Sequence, residues 1–166
     1  VFVDDLGFSD IGCYGSEVQT PNLNRMADEG IRFTQMYNCA RCCPTRASLL
    51  TGLYPHQAGV GHMVKDLGEP GYQGYLREDC VTIAEVLKGA GYKTGMIGKW
   101  HVGGIYSALN EEKWTPGTAD HPLPTQRGFD SYYGTLEGCG SYFNPHALME
   151  GESFIHIPPE IKDYYY

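Results

Sequence analysis

Apolar and polar positions change their period several times along the chain, and each change marks an element. Val1-Phe2-Val3 is an unbroken apolar run that stops at Asp4-Asp5, as the tail of a buried strand would. Thr20-Pro21-Asn22 supplies an N-cap and a proline at the first helical position. Leu23, Met26 and Ala27 then fall on one face, and Gly30 closes the helix. Ile31-Arg32-Phe33-Thr34 alternates as a short strand does. Pro44 opens another helix, which turns Leu49 and Leu50 toward a core and stops at Gly52. Thr82-Ile83-Ala84-Glu85 reads as a capping box ahead of an apolar stripe of Ile83, Val86, Leu87 and Ala90. Tyr92 to Ile97 returns as a strand with Tyr92, Thr94 and Met96 on one face. Residues 104–128 lack a period and form a long loop, and Arg127-Gly128-Phe129-Asp130 with Tyr132-Tyr133-Gly134-Thr135 reads as a further strand. Helix, short turn and strand in succession are the unit of an α/β fold with a mostly parallel sheet.

Composition narrows the partners. The 166 residues suffice for one domain core, and no apolar run is long enough to span a membrane. The chain opens without Met on an apparent strand and ends on Asp163-Tyr164-Tyr165-Tyr166, so it reads as part of a longer protein. Twelve basic against 20 acidic residues give a net charge of -8 with no Lys/Arg cluster, which disfavours nucleic acid and anionic membrane as partners. Such a chain needs local cations or a metal to bind an anionic ester, and Arg46 and Lys99 are the candidates. The six cysteines (13, 39, 42, 43, 80 and 139) are too irregularly spaced for a disulfide framework, and Cys39-Ala-Arg-Cys42 lacks the second close pair that a zinc site would need.

Chemistry concentrates at three places. Cys42 stands just before a helix start, where unpaired backbone N–H groups and the helix dipole favour negative charge, and Arg46 lies four residues on, on the same face. Asp4 and Asp5 follow an apparent strand, at the end of it where α/β sheets place ligands; the pair is either a solvated turn or an oxygen donor set for a divalent cation. Lys99 and His101 follow the Tyr92 strand and, in extended geometry, point to one side. A cation beside an imidazole suits an anionic ester: Lys stabilises charge and His bonds an oxygen or carries a proton.

Cys42-Cys43-Pro44-Thr45-Arg46 followed by Ala-Ser-Leu-Leu-Thr-Gly resembles the maturation motif of the sulfatase family. Gly98-Lys99-Trp100-His101-Val102-Gly103 resembles its second signature, and Val3-Asp4-Asp5-Leu6-Gly7-Phe8 its metal-binding opening. The stretch from Arg127 through Gly140-Ser141-Tyr142-Phe143 is similar to bacterial arylsulfatase-type members. The resemblance implies the N-terminal part, residues 1–166, of a single catalytic domain with an alkaline-phosphatase-like α/β sandwich. It implies hydrolysis of a sulfate ester, whether of a small molecule or a sulfated glycan. Cys42 would be oxidised to formylglycine by a maturation enzyme, and one hydroxyl of its hydrate would attack the sulfur. Asp4, Asp5 and residue 42 would hold calcium, or magnesium in its place; Arg46 would stabilise the hydrate; Lys99 and His101 would bind the sulfate. It also implies a periplasmic or secreted location.

The sequence departs from the family at Leu53, where many members carry Arg or Lys, and it contains no Asp-Asn pair to complete the metal ligands. The 166 residues alone are therefore expected to bind metal poorly and to turn over little substrate. Two other readings fit part of the pattern: a phosphonate monoester or phosphodiester hydrolase of the same superfamily, and a non-catalytic thiol or metal-binding region using Cys39, Cys42 and Cys43.

Overall fold

The computed structural model describes residues 1–105, 115–158 and 160–165, which form two compact units, Val1–Asn38 and Cys39–Tyr166.

The first unit contains two single 3₁₀ turns, Phe8–Asp10 and Gly12–Tyr14, and helix α1, Pro21–Glu29. Pro21 opens α1 as expected, but Thr20 does not cap it with its side chain. The Thr20 hydroxyl instead accepts from Gly12 N at 2.8 Å and donates to Asn24 Oδ1 at 2.9 Å, tying the preceding turn to the helix. Phe8 stacks on Tyr14 with ring centroids 4.1 Å apart, and Arg32 donates to Cys13 O at 2.8 Å. None of residues 1–38 is buried. The two strands expected here are absent: Val1-Phe2-Val3 and Ile31-Arg32-Phe33-Thr34 are exposed and irregular. A strand is a pairing rather than a local preference, and neither segment pairs with another among the described residues.

The second unit holds helix α2 (Cys42–Thr51), helix α3 (Ile83–Gly89) and one sheet. The strands are β1 (Gly95–Ile97), β2 (Ser131–Thr135), β3 (Leu148–Glu150) and β4 (Ser153–Phe154), in the order β1-β2-β3-β4. β1 and β2 are parallel, with Met96 opposite Tyr132; β2-β3 and β3-β4 are antiparallel, so the sheet is mixed rather than mostly parallel. Tyr92 lies outside β1 and is exposed, while Thr94 is buried. Part of the long loop expected over 104–128 lies outside the described residues; its end, Pro124–Arg127, is a 3₁₀ turn rather than the start of a strand.

The core gathers Cys43 and Ala47 of α2 with Leu76, Trp100, Val102, Tyr132, Leu136 and Met149. Leu50 packs against it, but Leu49 is exposed. The capping box of α3 forms as read, with Glu85 N donating to Thr82 Oγ1 at 3.1 Å and Thr82 N to Glu85 Oε2 at 2.6 Å. The stripe it was expected to bury does not face the core: Ile83, Val86 and Leu87 are exposed, and Ala84 is the buried residue. Arg127 binds this region together from inside. Its guanidinium pairs with Glu85 Oε1 at 3.1 Å and donates to the carbonyls of Arg77 at 3.1 Å and Cys80 at 2.5 Å, while its own carbonyl accepts from the Thr82 hydroxyl at 2.7 Å.

Candidate active site

The site is assembled where the start of α2 meets the chain leaving β1. Arg41 is the N-cap of α2 and Cys42 its first residue, so Pro44 occupies the third helical position, two later than the sequence suggested. Gly52 terminates the helix in the left-handed conformation, φ 71°. Cys42 is half-buried and Cys43 fully buried. Burial pushes the Cys43 thiol up to about 12; the charge of Cys42 and a hydrogen bond to it add to the rise, and Lys99 and Arg46 oppose it.

Beyond β1 the chain does not stay extended. Gly98 has φ 111° and His101 has φ 57°, so Lys99 and His101 are not placed by strand alternation. The segment is nonetheless anchored along β2 and the residues after it: Gly98 N donates to Tyr133 O at 2.9 Å, Trp100 N to Thr135 O at 2.9 Å and His101 N to Leu136 O at 3.1 Å. Two glycines permit this approach. A Cβ on Gly134 would sit 1.9 Å from Gly98 O, and one on Gly138 would sit 1.8 Å from His101 Cε1. Trp100 is fully buried between them, donating from Nε1 to Pro122 O at 2.8 Å and meeting Phe129 edge-on. A left-handed histidine costs backbone energy, here held by packing on every side.

Four of the six residues named from sequence lie in this unit, and their positions converge. Cys42 Sγ, Cys43 Sγ and a His101 ring nitrogen lie within 4.8 Å of one another. Arg46 is buried and donates from a terminal nitrogen to the Lys99 carbonyl, so α2 is tied to the segment that carries Lys99 and His101. The result is a helix start, a guanidinium, a half-buried lysine and a buried imidazole around the position 42 side chain: a setting for a nucleophile that acts on an anion.

Asp4 and Asp5 belong to the first unit. Both are exposed, and Asp5 takes the left-handed conformation, φ 54°, on a bend rather than at a strand end. Adjacent exposed carboxylates are the hard oxygen donors that calcium takes, whereas the Cys42 thiol is a soft donor that does not suit it. Position 42 fits such an ion only once its sulfur is replaced by oxygen.

One carboxylate escaped the sequence reading. Glu137 lies between Leu136, whose carbonyl accepts from His101 N, and Gly138, which packs on the imidazole. Its Oε1 is buried and accepts no hydrogen bond, and burial raises its carboxyl above the usual range, with His146 opposing the rise. Like Asp4 and Asp5, Glu137 follows an apolar run in the sequence, Tyr132-Tyr133-Gly134-Thr135-Leu136. His56 and His62 stay outside this cluster; His56 contacts the Tyr72 hydroxyl at 3.1 Å.

The family model described as Sulfatase matches residues 1–147. The chain is 39% identical over 147 residues to the arylsulfatase of Klebsiella aerogenes, covering 87% of this chain and 29% of that protein. It is 41% identical over 136 residues to human arylsulfatase A, covering 81% of this chain and 24% of that one. Among solved structures it is similar to BT4656, determined with its substrate D-glucosamine-2-N,6-O-disulfate: TM-score 0.60, 31% identity, 89% of this chain and 24% of that one. The chain thus spans about a quarter of the length of the curated relatives it matches. A family match over most of the chain, including the segments that build the cluster at Cys42, makes this chain a member of the sulfatase family.

Proposed function

We propose that the protein containing this chain hydrolyses sulfate esters through the position 42 side chain, within an alkaline-phosphatase-like α/β sandwich. The observation that carries the reading is the convergence of Cys42, Arg46, Lys99 and His101 on one helix start. As formylglycine, residue 42 would supply a hydrated aldehyde whose hydroxyl is the nucleophile. Arg46, held against the Lys99 backbone, keeps positive charge beside that hydroxyl and favours its ionised form. The Lys99 ammonium neutralises charge on the sulfate oxygens as the ester bond breaks. His101, fixed by Leu136 O and Gly138, donates a hydrogen bond to a sulfate oxygen or holds a proton there. Asp4 and Asp5 would hold calcium, or magnesium, which supplies Lewis-acid polarisation of the sulfate.

BT4656, which acts on a sulfated sugar, supports a sulfated glycan as one substrate class; the family's arylsulfatases support aryl sulfates as another. A periplasmic or secreted location, and a maturation enzyme as partner, belong to the same proposal. No helix among the described residues is long and apolar enough to cross a membrane.

The test uses the full-length protein made with a maturation enzyme. Trypsin releases Cys42 to Arg46 as a short peptide, whose mass should be that of the aldehyde rather than the thiol. The protein should cleave an aryl sulfate faster than an aryl phosphonate ester. An unmodified thiol mass together with no sulfate release would overturn the reading.

A further inference from the structure

The Cys42, Cys43 and His101 cluster has a second chemistry while residue 42 is still a thiol. We propose that this thiol form carries a site for a soft metal ion, Cu(I), bound by Cys42 Sγ, Cys43 Sγ and an imidazole nitrogen of His101. The inference concerns the unconverted chain and does not depend on its hydrolytic activity.

Geometry comes first. The three donor atoms lie within 4.8 Å of one another, and two of the three residues are buried. Three ligands around one ion at bonds of about 2.2 Å would stand roughly 3.8 Å apart, so side-chain rotations of under an ångström close the shell. His101 is already oriented by its backbone conformation, by Leu136 O and by Gly138, so little ordering is left to the ion.

The donors choose the metal. Two sulfurs and an imidazole select a thiophilic ion over calcium or magnesium. The cluster offers three donors, enough for trigonal Cu(I), whereas a structural zinc site takes four. Charge favours the same ion. Cu(I) with two thiolates carries one net negative charge, and the positive charges of Arg46 and Lys99 both act on Cys43. Zinc with the same ligands would be neutral and leave both cations facing it.

The step balances without electron transfer. Two S–H bonds break, two Cu–S bonds and one Cu–N bond form, two protons pass to solvent, and the copper remains Cu(I). Cys39 stands apart, its sulfur 3.6 Å from the Ser48 hydroxyl, so the three residues are not a sample of a diffuse thiol patch. An ion held here ties up the Cys42 thiol, and replacing that sulfur by an aldehyde removes one ligand.

The test is an anaerobic titration of the full-length protein, made without a maturation enzyme, using Cu(I) buffered by a bathocuproine chelator. One Cu(I) per chain should be withdrawn from the chelator, and X-ray absorption of the wild-type complex should show two sulfurs and one imidazole nitrogen. Cys42→Ser, Cys43→Ala and His101→Asn should each weaken binding by at least roughly tenfold, while Cys39→Ser and Cys139→Ser should not. The wild-type absorption spectrum needs no variant to fold. A shell without nitrogen, affinity unchanged in Cys42→Ser, or affinity lost in Cys139→Ser would overturn the assignment.

Discussion

The two units hold the two halves of the proposed chemistry in opposite ways. In Cys39–Tyr166, Arg46 and His101 are buried and tied to backbone, and Gly138 leaves room for the His101 ring. In Val1–Asn38, no residue is buried, and Asp4 and Asp5 stand on an exposed bend. Charged groups that must act on a bound anion gain from being placed in advance, since nothing then reorganises during reaction. Carboxylates meant for a hard cation need no such framework, because the ion itself orders them and outweighs their mutual repulsion. Preorganisation is therefore a property of the half proposed to bind the anion, and substitutions in the two units should separate on stability.

The sharpest separation should come from Arg127, although it touches no candidate site residue. Arg127→Met removes the ion-pair partner of Glu85 and strands the Cys80 carbonyl, at a cost of about 3–5 kcal/mol in urea unfolding of the full-length protein. A loss below 1 kcal/mol would break the comparison, since the interior would then not depend on its buried charge.

The second test is alkaline pH. The Cys43 thiol titrates higher folded than unfolded, so its contribution is present below its unfolded value and is lost as pH rises from about 9 toward about 12. Wild-type stability should fall across that window, and Cys43→Ala should flatten the fall. Equal slopes would mean that the thiol is not held in the interior.

A smaller effect is expected at Gly138. Gly138→Ala drives a methyl into the His101 ring and should cost about 1–3 kcal/mol in urea unfolding, together with a loss of sulfate release. The smallest effect is Asp5→Asn: an exposed position, and a residue that tolerates the left-handed bend, should leave stability within about 0.5 kcal/mol. Calorimetry should instead show weaker calcium binding.

The sequence was most informative where structure is local. The capping box at Thr82 and Glu85, Pro21 at a helix start and Gly52 at a helix end all depend on neighbours within one turn, and all stand as read. Strands read as runs did worse. Val1-Phe2-Val3 and Ile31-Arg32-Phe33-Thr34 have strand composition, but pairing is decided by distant residues. The stripe on α3 shows a related limit: period marks a face but does not say what covers it. At the site, Cys42, Arg46, Lys99 and His101 were legible from two short motifs. How they are held was not, because it rests on Gly134, Gly138 and Leu136, far along the chain and carrying no chemistry of their own.

The hydrogen bond from Arg46 to the Lys99 carbonyl joins residues 53 positions apart, and Arg127 reaches back 50 positions to Arg77. The hydrogen bonds of helix α2 close within ten residues, but the cluster around it does not. Each of these closures spends chain entropy before any packing is gained in return, so contacts of such long range place assembly of the site late in folding. Until then the Cys42 thiol has Arg46 of its own helix nearby but lacks the His101 imidazole and the Lys99 segment that later surround it.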